Sequence, residues 1–212
     1  MIKALITDLG NVVAPFDRMK AAVALNRAFI PSKSAKEIHA LINTDASAIE
    51  LLEAFETGQV LPNEFLSTLE KRLEHTLPTN MFWFIWCNIF WRNEPVVTLW
   101  RTARQQSHSL RLIALSDTDP YRLAWLKNLS KLDFDDAVAS FMVGHRKPHK
   151  SMYQEAVACA RCDAGECLFV DDVLRYVEGA RELGLQAYHY DMRDSQRDEK
   201  LCTMLRTHQL VS

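Results

Sequence analysis

Lys3-Ala4-Leu5-Ile6-Thr7-Asp8-Leu9-Gly10-Asn11-Val12-Val13 carries a short apolar run that ends abruptly in a carboxylate and a Gly-Asn pair. A run of this length without polar alternation reads as a strand buried on both faces, as in a parallel sheet. Two later stretches repeat the pattern: residues 110–115 end at Ser116, and residues 167–170 end at Asp171. Residues 137–140 and 186–190 are further strand candidates. Helical patterns over 119–129, 150–161, 173–183 and 195–208 alternate with them, and Gly184 suits a helix C-cap. The fold class that follows is α/β, a Rossmann-like parallel sheet with helices on both faces. Ligands of such sheets bind beyond the carboxyl ends of the strands, so Asp8, Ser116 and Asp171 mark one rim.

Between the first strand and the rest, the pattern changes. Residues 14–94 hold no convincing strand but several amphipathic helical stretches, at 18–29, 35–41, 48–57 and 63–73, with Gly58 and Pro62 marking a turn. The expected organisation is an α/β core of residues 1–13 and 95–212, with residues 14–94 inserted as a small α-helical cap. Residues 81–91, Met-Phe-Trp-Phe-Ile-Trp-Cys-Asn-Ile-Phe-Trp, are the most apolar part. They fall short of the ~20 residues of a bilayer span, so no membrane association is expected. A buried or domain-interface helix is the simpler reading, with a ligand cavity or partner surface as the alternative.

Composition narrows the function. The chain has 212 residues, 48% hydrophobic, with 25 Lys and Arg against 27 Asp and Glu and a net charge of -2. Phosphate-backbone binding needs a basic surface, so a nucleic-acid partner is not expected. The first residues lack a secretory signal pattern, and five cysteines, an odd number, suggest free thiols in a reducing compartment. A cytoplasmic location is expected. Cys159, Cys162 and Cys167 lack a fourth ligand for zinc and read as incidental thiols. The oligomeric state is open, a homodimer among the options.

Four stretches carry chemistry. Asp8-Leu9-Gly10-Asn11 offers a carboxylate and backbone N–H groups in a tight turn, although an Asp there also serves as a turn cap. Ser116-Asp117-Thr118-Asp119 puts a hydroxyl at a strand end just before a helix, where it can donate to a phosphate oxygen or cap the helix. Gly144-His145-Arg146-Lys147-Pro148 supplies a cation in a loop, with His145 and His149 read as surface residues. Asp171-Asp172 pairs two carboxylates whose mutual repulsion a bound Mg²⁺ would relieve; Asp172 as a helix cap is the alternative.

In this order and spacing, the four elements resemble the motifs of the haloacid dehalogenase superfamily of phosphohydrolases. The branch with a sugar-phosphatase or dehalogenase-like cap is the most similar, some of its members reading Asp-Leu-Gly-Asn-Val at the first motif. The stretch Glu56-Thr57-Gly58-Gln59-Val60 is similar to part of that cap. The resemblance implies a Mg²⁺-dependent phosphatase for a small phosphorylated metabolite. Asp8, Ser116 and Lys147 would be catalytic, with Asp8 forming an aspartyl-phosphate. Asp8, Leu9, Gly10, Ser116, Asp117 and Lys147 would bind the phosphoryl group, and Asp8, Gly10, Asp171 and Asp172 the metal. The chain departs from the family pattern at Gly10, where most such phosphatases carry a second Asp as general acid. A substrate with a good leaving group, or a substitute donor such as Asp17, His145 or a cap residue, would answer that gap. The alternatives are a catalytically weak phosphate-binding or scaffolding protein and a 2-haloacid dehalogenase; the acidic pair argues against the latter. Asp117 is a second oddity, since its charge beside Ser116 opposes an anionic substrate unless it turns away.

Overall fold

A computed structural model describes residues 1–212. Five strands, β1 (Ala4–Thr7), β2 (Arg111–Ser116), β3 (Asp136–Ala139), β4 (Cys167–Asp171) and β5 (Gln186–His189), form one sheet in the order β3-β2-β1-β4-β5. Every neighbouring pair is parallel. Strands β2 and β3 run outward on one side of β1 and strands β4 and β5 on the other. The order therefore reverses between β1 and β4, which opens a crevice at their carboxyl ends. Thr7 pairs with Ala114 and with Val170, so Asp8, Ser116 and Asp171 emerge on one rim, as their positions in the sequence imply.

Alternate residues of each strand face opposite layers, as the pleat requires. Leu5, Leu112, Leu168 and Val170 pack under Val96, Val97 and Trp100 of α6 (Glu94–Gln106) and Leu201 and Leu205 of α11 (Arg197–Thr207). Ala4, Ile6, Ile113 and Phe169 pack against Met152, Tyr153 and Ala156 of α9 (Lys150–Ala160) and Tyr176 and Ala180 of α10 (Leu174–Glu182). Both faces are thus covered. Helix α7 (Pro120–Ser130) follows β2, and the single-turn α8 (Ser140–Val143) follows β3.

The region after β1 is helical throughout: α1 (Met19–Ala28), α2 (Ala35–His39), a π-helical turn (Ala40–Thr44), α3 (Ala46–Glu56), α4 (Pro62–Leu73) and α5 (Thr79–Cys87). It has its own core, in which Phe55 and Phe65 stack with ring centroids 4.1 Å apart and Phe82, Trp83 and Trp86 close the packing. The aromatic run is therefore, up to Cys87, a helix buried on one side at the seam with the α/β layers, while Met81, Phe84 and Trp91 stay exposed. Trp83 stacks on Tyr121 of α7 at 3.9 Å, and the Trp86 indole N–H donates to Asp119 Oδ2 at 2.9 Å. No helix is long and apolar enough to cross a membrane.

A candidate active site at the strand ends

Asp8 leaves β1 with its N–H bonded to the Val170 carbonyl and is only 6% exposed. The chain then turns tightly, with Asn11 in the left-handed region at φ 56°, a conformation Asn tolerates better than most residues. That turn aims Asn11 Nδ2 at Asp172 Oδ2, 2.9 Å away, and so joins the ends of β1 and β4. The N–H groups of Leu9, Gly10 and Asp117 donate to no acceptor within the protein.

Lys147 comes from the loop between α8 and α9 and is 4% exposed. Its Nζ donates to Asp8 Oδ1 at 2.7 Å, to Asp171 Oδ2 at 2.6 Å and to the Leu115 carbonyl at 3.2 Å. One ammonium thus links three strand ends. Burial opposes its charge, but Asp171, Asp8 and Asp117 outweigh that and hold Lys147 protonated well above the usual lysine range. Removing Lys147 would leave the buried carboxylates of Asp8 and Asp171 uncompensated, a far larger penalty than the loss of a surface pair.

Asp171, Asp172, Asp8, Gly10, Ser116, Asp117 and Lys147 line one cavity of about 140 Å³. The sequence-designated residues therefore converge, except that the Leu9 side chain is fully buried and lies outside the cavity lining. Asp117 is not loose in this cavity. Its Oδ1 accepts the Lys147 backbone N–H at 2.9 Å and its Oδ2 lies 3.6 Å from Arg146 Nε, which answers the expected repulsion of substrate. Asp119 caps α7 by accepting from the N–H groups of Tyr121 and Arg122. His145 and His149 are exposed and stack on each other at 3.8 Å. Cys162 and Cys167 lie with their sulfurs 3.5 Å apart, away from the rim.

The rim is over-supplied with negative charge: Asp8, Asp171 and Asp172 face one lysine. Burial pushes the Asp8 carboxyl up, with Asp171 and Asp172 adding to the effect against Lys147, and burial likewise raises Asp172. No group of three or more acidic, His or Cys side chains forms a closed metal cage. Both Asp171 oxygens are engaged, Oδ2 by Lys147 and Oδ1 by the Val173 N–H. Mg²⁺ commonly takes one or two carboxylates and keeps its waters, and the oxygen donors of the chemistry it prefers at this rim are Asp8, Asp172 and the Gly10 carbonyl, which spends one lone pair on the Val12 N–H.

Sequence reasoning did not reach a second group. Glu56 at the end of α3, 3% exposed, lies 3.6 Å from Arg122 Nη1 and 3.6 Å from Arg146 Nη2. With Arg18, Phe16, Gly10, Ser116 and Asp117 it lines a smaller cavity of about 50 Å³ beneath the helical region. The only signal in the sequence was Glu56 inside a cap-like stretch; its arginines come from three separate segments.

The chain is similar to known hydrolases over most of its length. The D-ribitol-5-phosphate phosphatase of Bacteroides thetaiotaomicron is 25% identical over 198 residues, covering 89% of this chain and 91% of that enzyme. A phosphatase of Mycobacterium tuberculosis is 38% identical over 64 residues, a match spanning only 30% of either chain. Among solved structures, a HAD family enzyme of B. thetaiotaomicron in complex with magnesium and inorganic phosphate superposes with a TM-score of 0.73 at 19% identity, over 92% of this chain and 97% of that one. The L-2-haloacid dehalogenase of Xanthobacter autotrophicus has the same fold, with a TM-score of 0.64 at 19% identity, over 100% of this chain and 85% of that one. The haloacid dehalogenase-like hydrolase family profile matches residues 2–184, and the chain belongs to that family.

Proposed function

We propose that the protein is a Mg²⁺-dependent phosphatase acting on a small phosphorylated metabolite through an aspartyl-phosphate on Asp8. The observation that carries this reading is the Lys147 bridge, 2.7 Å to Asp8 and 2.6 Å to Asp171, in a cavity that also holds Asp172 and Ser116. The two phosphatase relatives and the structural neighbour crystallised with magnesium and phosphate support it. Residues 14–94 act as the cap and select the substrate, while residues 1–13 and 95–212 supply the chemistry.

The chain's own residues divide the work. The Asp8 carboxylate attacks phosphorus, while the Ser116 hydroxyl, the Lys147 ammonium and the N–H groups of Leu9, Gly10 and Asp117 hold the phosphoryl oxygens. Lys147 offsets charge on Asp8 and Asp171 and orients both. Held by Asp8, Asp172 and the Gly10 carbonyl with Asp171 assisting, Mg²⁺ supplies the screening between two anions that must meet. The acidic pair sets this site apart from a halide-displacing enzyme, which has no need of a metal.

A panel of phosphate esters and acyl phosphates, assayed with and without Mg²⁺ on wild type and Asp8→Asn, tests the reading. Metal-dependent phosphate release that falls to background in the variant is expected. Gly10, with no acid side chain, favours a second reading as a phosphate-binding protein of the same fold. Retained phosphate binding with no turnover of any ester would select it.

A further inference from the structure

Resting on the phosphatase reading, the geometry points to Glu56 as the group that protonates the departing oxygen and then deprotonates the attacking water, in place of the acid that Gly10 lacks. The β1 turn cannot supply such a group. A Cβ at Gly10 would meet Phe16 Cε1 at 3.3 Å, and Phe16 is itself packed on Phe90 at 5.4 Å. Asp17 is exposed and accepts the Met19 N–H. His145 is exposed and lines a depression that holds none of Asp8, Gly10 and Ser116. Asp117 holds the Lys147 backbone with one oxygen and faces Arg146 with the other.

Glu56 has the position. Its cavity shares Gly10, Phe16, Ser116 and Asp117 with the larger one around Asp8, so the two adjoin at the carboxyl ends of β1 and β2. It is also fixed there. Ser140 Oγ donates to the Glu56 carbonyl and accepts the Thr118 N–H at 2.9 Å, tying the end of α3 to the loop after β2.

The surroundings suit both protonation states. Arg122, Arg146 and Arg18 face the carboxyl, with Asp119 and Asp117 behind them and Glu53 holding Arg146 from outside at 2.9 Å. Burial favours the neutral acid before transfer, and the guanidinium groups receive the charge afterwards. Burial outweighs the pull of Arg122, Arg146 and Arg18 and raises the Glu56 carboxyl to about 7, where a general acid and base works near neutral pH.

An Asp8 oxygen forms a bond to phosphorus as the phosphorus–ester oxygen bond breaks; its electron pair goes to the ester oxygen, which takes the proton from Glu56. The Glu56 carboxylate next takes a proton from water as the water oxygen bonds to phosphorus. The bond from phosphorus to Asp8 breaks, and its pair returns to the Asp8 carboxylate.

The test compares kcat/KM in Mg²⁺ for p-nitrophenyl phosphate, whose leaving group needs no proton, and glycerol 3-phosphate, whose leaving group does. Glu56→Gln should lose about 10² to 10⁴ on glycerol 3-phosphate and stay within a few-fold on p-nitrophenyl phosphate. The variant should also show a burst of p-nitrophenolate, because the aspartyl-phosphate forms but its hydrolysis is slow. Equal losses on both substrates without a burst, or no loss on glycerol 3-phosphate, would overturn the assignment while leaving the phosphatase reading intact. Absence of wild-type turnover of these two and of every ester and acyl phosphate in the wider panel would overturn both. Should the variant not fold, the wild-type pH profile decides: kcat/KM for glycerol 3-phosphate falls above pH ~7 while that for p-nitrophenyl phosphate does not. A shared alkaline limb would sink the proposal.

Discussion

At the residue scale, Glu56 links protonation to stability as well as to catalysis. In the folded chain its carboxyl holds a proton up to about pH 7, against an ordinary value of 4.5. Between those values the unfolded chain has released its proton and the folded chain has not. Rising pH therefore favours unfolding across that window, by up to about 3 kcal/mol above pH 7, and the penalty is absent below pH 4.5. Glu56→Gln cannot titrate. The melting temperature of Glu56→Gln minus that of wild type should therefore increase between pH 5 and pH 8, as calorimetry would measure. A constant difference across that range contradicts the burial argument.

At the element scale, the turn between α3 and α4 sets how the helical region sits on the sheet. Gly58 holds φ 72°, and a Cβ there would lie 2.7 Å from the Phe141 carbonyl oxygen at the start of α8. A glycine is needed twice over, for the left-handed backbone and for the close approach. Gly58→Ala should cost about 1–3 kcal/mol, a fall in Tm of roughly 2–12 °C. It should also lower turnover, since lifting the turn moves Glu56 two residues earlier. An unchanged Tm would show that the turn yields without strain.

At the scale of the whole molecule, what was legible in the sequence followed from local physics. The strands were visible because each is an apolar run cut off by a polar residue, and register alone then places Asp8, Ser116 and Asp171 on one rim. Helix ends shifted by a residue or two; residues 35–41 divide into α2 and a π-helical turn, and α5 stops at Cys87 rather than continuing to Trp91. Lys147 could be chosen from its neighbours in the chain. Its simultaneous contact with Asp8 and Asp171 spans 139 and 24 residues of separation and had no local signature. The cluster of Glu56, Arg18, Arg122 and Arg146 was illegible for the same reason. Each residue reads as an ordinary solvated charge until the helical region docks and buries it.

Ser140 is a joint between three segments, reaching the Glu56 carbonyl on one side and the Thr118 backbone on the other. Any swing of the helical region away from the sheet has to part that joint, because it ties the end of α3 to the loop after β2. Where product release requires such a swing, it becomes a diffusive step of the whole helical region against solvent drag. Turnover of activated esters should slow in proportion to added viscogen, and Ser140→Ala should blunt that response by loosening the joint. Insensitivity of the wild type to viscosity would mean that bond breaking, and not departure, sets its pace.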